Sequence, residues 1–311
     1  MNIFVAGATG VLGRQIVRQL VAGGDTVVGL VRDRKGERRV TDAGGQARYA
    51  DLFNAGNLVH AMKGCEAVIH AATAIPTKAR TAPADWQLND RIRRQGTEAL
   101  ARCAGQVGAR TFVFQSIVWV ASPSDGSPFD ESSPPRPTNV TQSALDGEGI
   151  AQVIAAQEGF ASAVLRCGMF YGPEAAHTRM MAQGLAARRL PIFGAGDNYW
   201  HPLHTDDAAS AFVIAARAGR TGLWHVVDDE PVQAREMLGA LAARLGALPP
   251  RRIPKWLARI LAGGEAVDFM TQSMRTSNAR FRADFGWTPK YPTYREGIEQ
   301  IVTAWNGGLP R

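Results

Sequence analysis

The run Gly7-Ala8-Thr9-Gly10-Val11-Leu12-Gly13 places three glycines at a spacing suited to phosphate chemistry. The first permits a tight turn, the second lets the backbone approach a pyrophosphate, and the third lets a helix pack closely on a strand. A glycine triplet alone is a weak signal. Here it follows the apolar run Ile3–Ala6 and opens the helical pattern Leu12–Ala22, the strand–turn–helix setting that the chemistry requires. A diphosphate would then rest on the free N–H groups and positive end of that helix. The expected cradle is Gly7, Thr9, Gly10, Val11, Leu12 and Gly13. The next apolar run, Thr26–Val31, ends in Arg32, with Arg34 and Lys35 just beyond. A carboxylate at that point serves a ribose 2′-hydroxyl, whereas arginine serves a 2′-phosphate. Arg32 therefore favours NADP(H) as cofactor; Asp33 dissents, and a solvated basic loop is the competing reading.

Three further residues are catalytic candidates. Ser116 lies near the end of the apolar run Thr111–Val118, and open α/β sheets bind ligands at strand C-termini. It is expected to hydrogen-bond substrate or cofactor, with strand-end capping as the alternative. Tyr171 follows the run Ala163–Arg166 and offers either a phenol as an acid or a ring for packing. His201, beside Tyr199 and Trp200, could reach the same site. His201 and His204 stand three apart ahead of Asp206 and Asp207, a superficially metal-like spacing, but no metal is expected. Trp119, Phe193 and Trp200 read as pocket wall or core. The chain has no Gly-x-Ser-x-Gly elbow, phosphate-loop lysine or zinc-protease motif, so hydrolase and kinase chemistry have no support.

The elements that position these residues alternate along the first half. Apolar runs at Ile3–Ala6, Thr26–Val31, Ala47–Ala50, Ala67–Ala71, Thr111–Val118 and Ala163–Arg166 are separated by helical stretches at Leu12–Ala22, Leu58–Met62, Ala84–Val107 and Leu145–Gln157. That pattern predicts an α/β fold, a doubly wound parallel sheet with right-handed crossovers. Ser122–Val140 holds five prolines and reads as a loop over a site. Leu223–Val227 is one more strand, and Ala234–Trp305 is mainly helical. Residues 1–166, rejoined by 203–230, are expected to form the nucleotide-binding core. Residues 167–202 and 231–311 form a smaller, interleaved C-terminal lobe for a small-molecule substrate.

A net charge of +7 raises the question of nucleic acid, but the arginines are scattered along helices, which favours an anionic small ligand. No apolar stretch is long enough to span a bilayer and no leader precedes Ile3, so no membrane association is expected. Cys65, Cys103 and Cys167 are odd in number and widely spaced, as in a cytoplasmic protein with reduced thiols.

Together the motifs resemble the short-chain dehydrogenase/reductase superfamily in its extended or atypical branch, the NAD-dependent epimerase/dehydratase-like Rossmann proteins. Besides the glycines, the resemblance rests on Asp51-Leu52, His70-Ala71-Ala72-Thr73, Gly96-Thr97, the run Arg166–Pro173, His204-Thr205-Asp206-Asp207, and Ser277–Arg280 leading to Phe285–Pro289. It implies that Asp51 and Leu52 meet the adenine and that Ala71, Ala72 and Thr73 line the cofactor. It also implies that the aspartate pair is structural. It admits a homodimer through the Ala84–Val107 and Leu145–Gln157 helices.

The departures from that branch bear on the reaction. Its members carry a tyrosine and, four residues later, a lysine on the helix after the fifth strand; the matching positions here are Val140 and Ala144. A helix asparagine of the branch is matched by Arg93. Of the usual catalytic set only Ser116 remains, with Ile117 competing for its place. The resemblance therefore implies an NADP(H)-dependent oxidoreductase without the usual acid–base pair. The alternatives are a redox-neutral epimerase, dehydratase, isomerase or lyase, and a non-catalytic NADP-binding regulator.

Overall fold

The computed structural model describes residues 1–76 and 81–305. Along the first half run β1 (Asn2–Ala6), α1 (Val11–Ala22), β2 (Thr26–Val31), α2 (Arg34–Thr41), β3 (Gln46–Tyr49), α3 (Ala55–Met62), β4 (Ala67–His70), α4 (Pro83–Arg91), α5 (Thr97–Gln106), β5 (Thr111–Ile117), α6 (Gln142–Glu158) and β6 (Ala161–Cys167). Then come β7 (Met169–Tyr171), α7 (Ala176–Ala186), β8 (Ile192–Phe193), β9 (Tyr199–Trp200), β10 (Pro202–His204), α8 (Thr205–Ala218), β11 (Gly222–Val226), β12 (Val232–Gln233), α9 (Ala234–Arg244), β13 (Arg252–Ile253), α10 (Lys255–Ala262), α11 (Gly264–Thr271), α12 (Ala279–Phe285) and α13 (Tyr294–Ala304). Seven strands form one parallel sheet in the order β11-β6-β5-β4-β1-β2-β3, the expected doubly wound fold. The strand order reverses between β1 and β4, and a ligand crevice opens at such a switch point.

Both faces of the sheet are covered, which is why its strands read as continuous apolar runs. Alternation sorts the side chains. Ile3, Val5 and Val113 pack with residues of α1 and α8, whereas Phe4, Val68, Phe112 and Phe114 pack with residues of α3, α5 and α6. Ser116, two residues beyond Phe114, shares the face toward α6. That parity sets the fate of its hydroxyl.

Two elements differ from expectation. The basic segment after Arg32, absent from the expected helices, forms helix α2. Asp33 caps it, its Oδ1 accepting from Gly36 N at 2.7 Å. Only Gly36 and Val40 of that helix are buried, too thin an apolar stripe to be read as a helix from spacing. The long crossover helix is also interrupted: Ile92–Gly96 forms a π-helical turn between α4 and α5. Such turns recur at functional sites.

The proline-rich loop straps the core to the smaller lobe. Phe129 N reaches Arg275 O at 2.9 Å, Ser122 Oγ reaches Ser273 O at 2.8 Å, and Glu131 accepts from His225 N on the edge strand β11 at 2.9 Å. The smaller lobe is built from the pairs β7–β10, β9–β12 and β8–β13. Its core includes Trp119, Trp200, Leu238 and Ile298. Helix α12 departs from the expected division. Phe281 and Trp287 join the main core, and Trp287 Nε1 donates to Ser210 Oγ at 2.8 Å. Residues 306–311 of the expected lobe lie outside the described residues. Cys65, Cys103 and Cys167 are free and buried. Among the described residues, no helix is long and apolar enough to cross a membrane.

Candidate nucleotide and substrate cleft

The glycine turn is a cradle with one open position. Gly7 has φ +90°, and a Cβ there would stand 2.5 Å from the Ala71 carbonyl, so β1 and β4 close on each other at this residue. A Cβ on Gly13 would collide with Gly7 O. Gly10 differs: its φ of −76° suits any residue, and the nearest atom to a Cβ is Gly7 O at 3.2 Å. Gly10 is also the N-cap of α1, with no side-chain cap and no acidic residue in the first turn. The open N-terminal amides of Val11, Leu12 and Gly13 therefore carry the helix's positive end unopposed, which fits a diphosphate.

At the end of β2, Arg32, Arg34 and Lys35 are exposed. The dissenting carboxylate, Asp33, is occupied by the α2 amide of Gly36. A Cβ on Gly36 would lie 3.2 Å from Thr9 Cγ2, so the basic helix start stands beside the glycine turn. Asp51 is exposed at the end of β3, where its Oδ1 accepts from Phe53 N at 3.0 Å. Leu52 packs where a Gly96 Cβ would meet it at 2.9 Å. Ala71 is buried, and Ala72 and Thr73 are half-buried, on the segment leaving β4.

The candidate acid–base residues are enclosed. Ser116 is fully buried, and its hydroxyl donates to Glu148 of α6. Arg166 clasps the same carboxylate from β6, with Nε to Oε1 at 2.8 Å and Nη2 to Oε2 at 2.7 Å. Tyr171 is also fully buried, its hydroxyl donating to Asp228 at 2.8 Å and its ring filling the space beside Gly297. Burial beside Asp228 raises its phenol well above the ordinary value. His201 is enclosed too: its Nε2 lies 3.0 Å from Asp228 O and its Nδ1 accepts from Thr276 N at 3.4 Å. Tyr171 and His201 thus correct the expectation of acids facing the cleft. In this structure each packs the smaller lobe: Tyr171 on β7 is held by the Asp228 carboxylate, and His201, just ahead of β10, by the backbone of Asp228 and Thr276. His204 and Asp207 serve the backbone: Asp206 N donates to His204 Nδ1 at 3.2 Å, and Lys290 N donates to Asp207 Oδ1 at 2.6 Å.

At the start of α6, Val140 is half-buried and Ala144 fully buried, and neither can exchange a proton. Apolar walls continue through Ile117, Trp119 and Met169; Trp119 stacks on Phe269 with centroids 5.3 Å apart. Sequence reasoning missed Glu148 as the partner of Ser116, and Arg93 as a buried cation with 2% exposure. A charged residue ending an otherwise apolar strand, as Arg166 does, was the one available signal that a buried counter-ion must exist.

Buried neutral histidines give the fold an acid limit. Burial pushes His70 and His201 down to about 4 and His225 to about 3, whereas an unfolded histidine titrates near 6.5. The unfolded chain therefore binds more protons across this window, and the histidine contribution to stability is lost as pH falls from about 6.5 to 4. Each group adds a slope of about 1.4 kcal/mol per pH unit there. In His70→Asn, unfolding free energy measured by denaturant titration across that window should lose about one such increment of slope. An unchanged slope refutes this assignment.

A family model for the NAD dependent epimerase/dehydratase family matches residues 3–226. The chain is 34% identical over 305 residues to a 3-diazoavenalumate denitrifying reductase of a Streptomyces species, covering 96% of this chain and 99% of the relative. Among solved structures it is similar to a dTDP-glucose 4,6-dehydratase from Streptomyces venezuelae with NAD bound, at TM-score 0.81 and 24% identity over 98% of this chain and 97% of that one. It is also similar to the human epimerase family protein SDR39U1 with NADPH, at TM-score 0.84 and 18% identity over 97% and 99% of the two chains. The chain belongs to the NAD dependent epimerase/dehydratase family, and it is an enzyme that uses a nicotinamide cofactor.

Proposed function

We propose that this enzyme is an NADP(H)-dependent reductase of small aromatic electrophiles whose reduction takes no proton from the protein, arenediazonium ions first among them. The observation that carries this reading is that Val140, just before α6, and Ala144, in its first turn, can neither donate nor relay a proton, together with the enclosure of Tyr171 and His201. In the proposed complex the amides of the Gly7–Gly13 turn hold the diphosphate, with Thr9, Val11 and Leu12 shaping its rim. Arg32 pairs with the 2′-phosphate, Asp51 and Leu52 border the adenine, and Ala71, Ala72 and Thr73 line the inner wall. Ser116 acts through Glu148 at the floor and does not touch the substrate.

When bound, the reduced nicotinamide supplies a hydride. A ketone that accepts it becomes an alkoxide needing a proton as it forms, and positioned acids are worth about 10²–10⁴-fold in such steps. An arenediazonium cation that accepts it becomes a neutral diazene, which loses N2 to leave the arene. Charge balances with no proton donated. The relative's activity on a diazo compound supports this choice. So do the apolar side chains of Ile117, Trp119 and Met169.

The test is a screen of a benzenediazonium salt, a simple ketone, an enone and a sugar nucleotide with NADPH and NADH. Expected are N2 release and arene formation with NADPH, with ketone reduction at least about 100-fold slower. Arg32→Ala should weaken NADPH binding about tenfold or more, by loss of charge-assisted hydrogen bonds, and leave NADH binding unchanged. Brisk ketone reduction, or equal affinities for the two cofactors in the unaltered protein, overturns the reading.

A further inference from the structure

Beside the wall formed by Ala71–Ala74, α4, the π turn and α6 bury polar atoms that the fold leaves unsatisfied. Asn89 Nδ2, Asp90 Oδ1, Arg93 Nε and Ser143 Oγ are all buried without a hydrogen-bond partner. Buried polar groups are nearly always paired, so a cluster of exceptions asks for a ligand or water. Arg93 is the most demanding of them. Among the described residues none accepts a hydrogen bond from its guanidinium, although it is only 2% exposed. Burial pushes it down to about 10, which leaves it a cation at neutral pH. Its carboxylate neighbours do not pair with it: Glu148 is taken by Arg166 and Ser116, and Asp90 acts on it only through space.

The placement favours the cleft. The π turn draws α6 close, since a Cβ on Gly147 would lie 2.7 Å from Arg93 O. Ala144 stands one turn nearer the start of α6 and ends at its methyl group. The crossover helix runs away from the strand C-termini, and helical side chains lean toward their own N-terminus. Arg93 therefore leans back toward the crevice. Asn89, one turn ahead, is tied to the inner wall by Ala74 N, which donates to its Oδ1 at 3.1 Å. That bond leaves the Asn89 amide donor free. With Ser143 Oγ, these elements offer three unpaired donors, one of them cationic, against one unpaired acceptor, Asp90 Oδ1.

We propose that Arg93 is the anion-binding residue of the substrate site, pairing with an oxyanion, a phenolate or aryl carboxylate, on the aromatic substrate, with Asn89 and Ser143 completing the contact. The inference rests on the reading of this cleft as the substrate site, and it deepens that reading. A fixed cation at the substrate's oxyanion holds the ring in one orientation. In a diazo-phenol it also keeps negative charge on oxygen and positive charge on nitrogen, the form most ready to accept hydride.

The test needs no turnover. The complex with NADP+ is titrated with 4-nitrophenol, whose phenolate absorbs in the visible, and with its neutral methyl ether, 4-nitroanisole. The unaltered protein should bind the phenolate at least tenfold more tightly than the ether and lower the apparent pKa of the bound phenol. In Arg93→Gln the phenolate preference should fall at least tenfold, with NADP+ affinity and thermal unfolding unchanged; Arg93→Lys should keep part of it. Equal binding of phenolate and ether by the unaltered protein overturns the proposal even if no variant folds. So does an Arg93→Gln protein that loses NADP+ instead, since Arg93 would then serve the cofactor. Phenolate binding without diazonium reduction would strike the proposed reaction and leave this site standing.

Discussion

Gly10→Val should abolish NADPH binding and leave a folded protein, whereas Gly13→Val should fail to fold. The two residues stand three apart in one motif, so the contrast isolates what each glycine does. Gly10 has extended backbone angles, φ −76° and ψ 176°, which valine adopts freely. Its added Cβ meets only Gly7 O at 3.2 Å, a contact that a small shift relieves. The valine methyl groups would instead stand over the α1 amides, where the diphosphate must come. A Cβ on Gly13 is driven into Gly7 O and lies 2.7 Å from Gly7 C and 2.8 Å from Ala8 Cα, all backbone atoms held by β1. Nothing there can yield without moving the helix from the sheet. Calorimetric titration of Gly10→Val should show affinity reduced by at least about 100-fold, the loss of most of the diphosphate contact. Thermal unfolding should stay close to that of the unaltered protein. Unimpaired binding in Gly10→Val would reduce the motif to a turn.

Arg166→Met should destabilise the fold by about 3–5 kcal/mol, the usual consequence of leaving one buried charge without its partner. Ser116, Arg166 and His225 are neighbours in register across β5, β6 and β11, and Glu148 comes down on that row from α6. Both ion-pair partners are almost wholly buried, at 3% and 4% side-chain exposure. Without the guanidinium, Glu148 keeps a single donor, the Ser116 hydroxyl. Replacing both partners by apolar side chains of similar size removes the orphan charge, so Arg166→Met with Glu148→Leu should be more stable than Arg166→Met alone. Denaturant titration of the two single variants and the double variant decides it. Strict additivity would mean that the pair is not coupled.

The parallel alternation of the first six sheet strands with their main helices, and the glycine turn with basic residues after β2, were open to a reading of the residues alone. Each is a local matter. Apolar runs and amphipathic periods report burial on their own element, and the glycine turn is complete within seven residues. Helix α2 escaped because its signal was a cap, Asp33, with too few apolar residues behind it. The roles of Ser116, Tyr171 and His201 were not local. A strand residue faces one side or the other by parity, and only the assembled sheet shows that Ser116 turns toward Glu148 and Arg166. Tyr171 and His201 are drawn inward by Asp228, far along the chain, whose carboxylate accepts from the Tyr171 hydroxyl and whose carbonyl accepts from His201 Nε2. Arg93 and Ser143 likewise lie on separate elements, and a π turn that no spacing announces sets Arg93 O against Gly147 of α6, one turn from Ser143. Residue types and periods therefore determined the parallel sheet and the glycine turn that follows its first strand. Which polar groups are paired, and which are left for a ligand, depends on contacts between distant segments and was decided only by the tertiary structure.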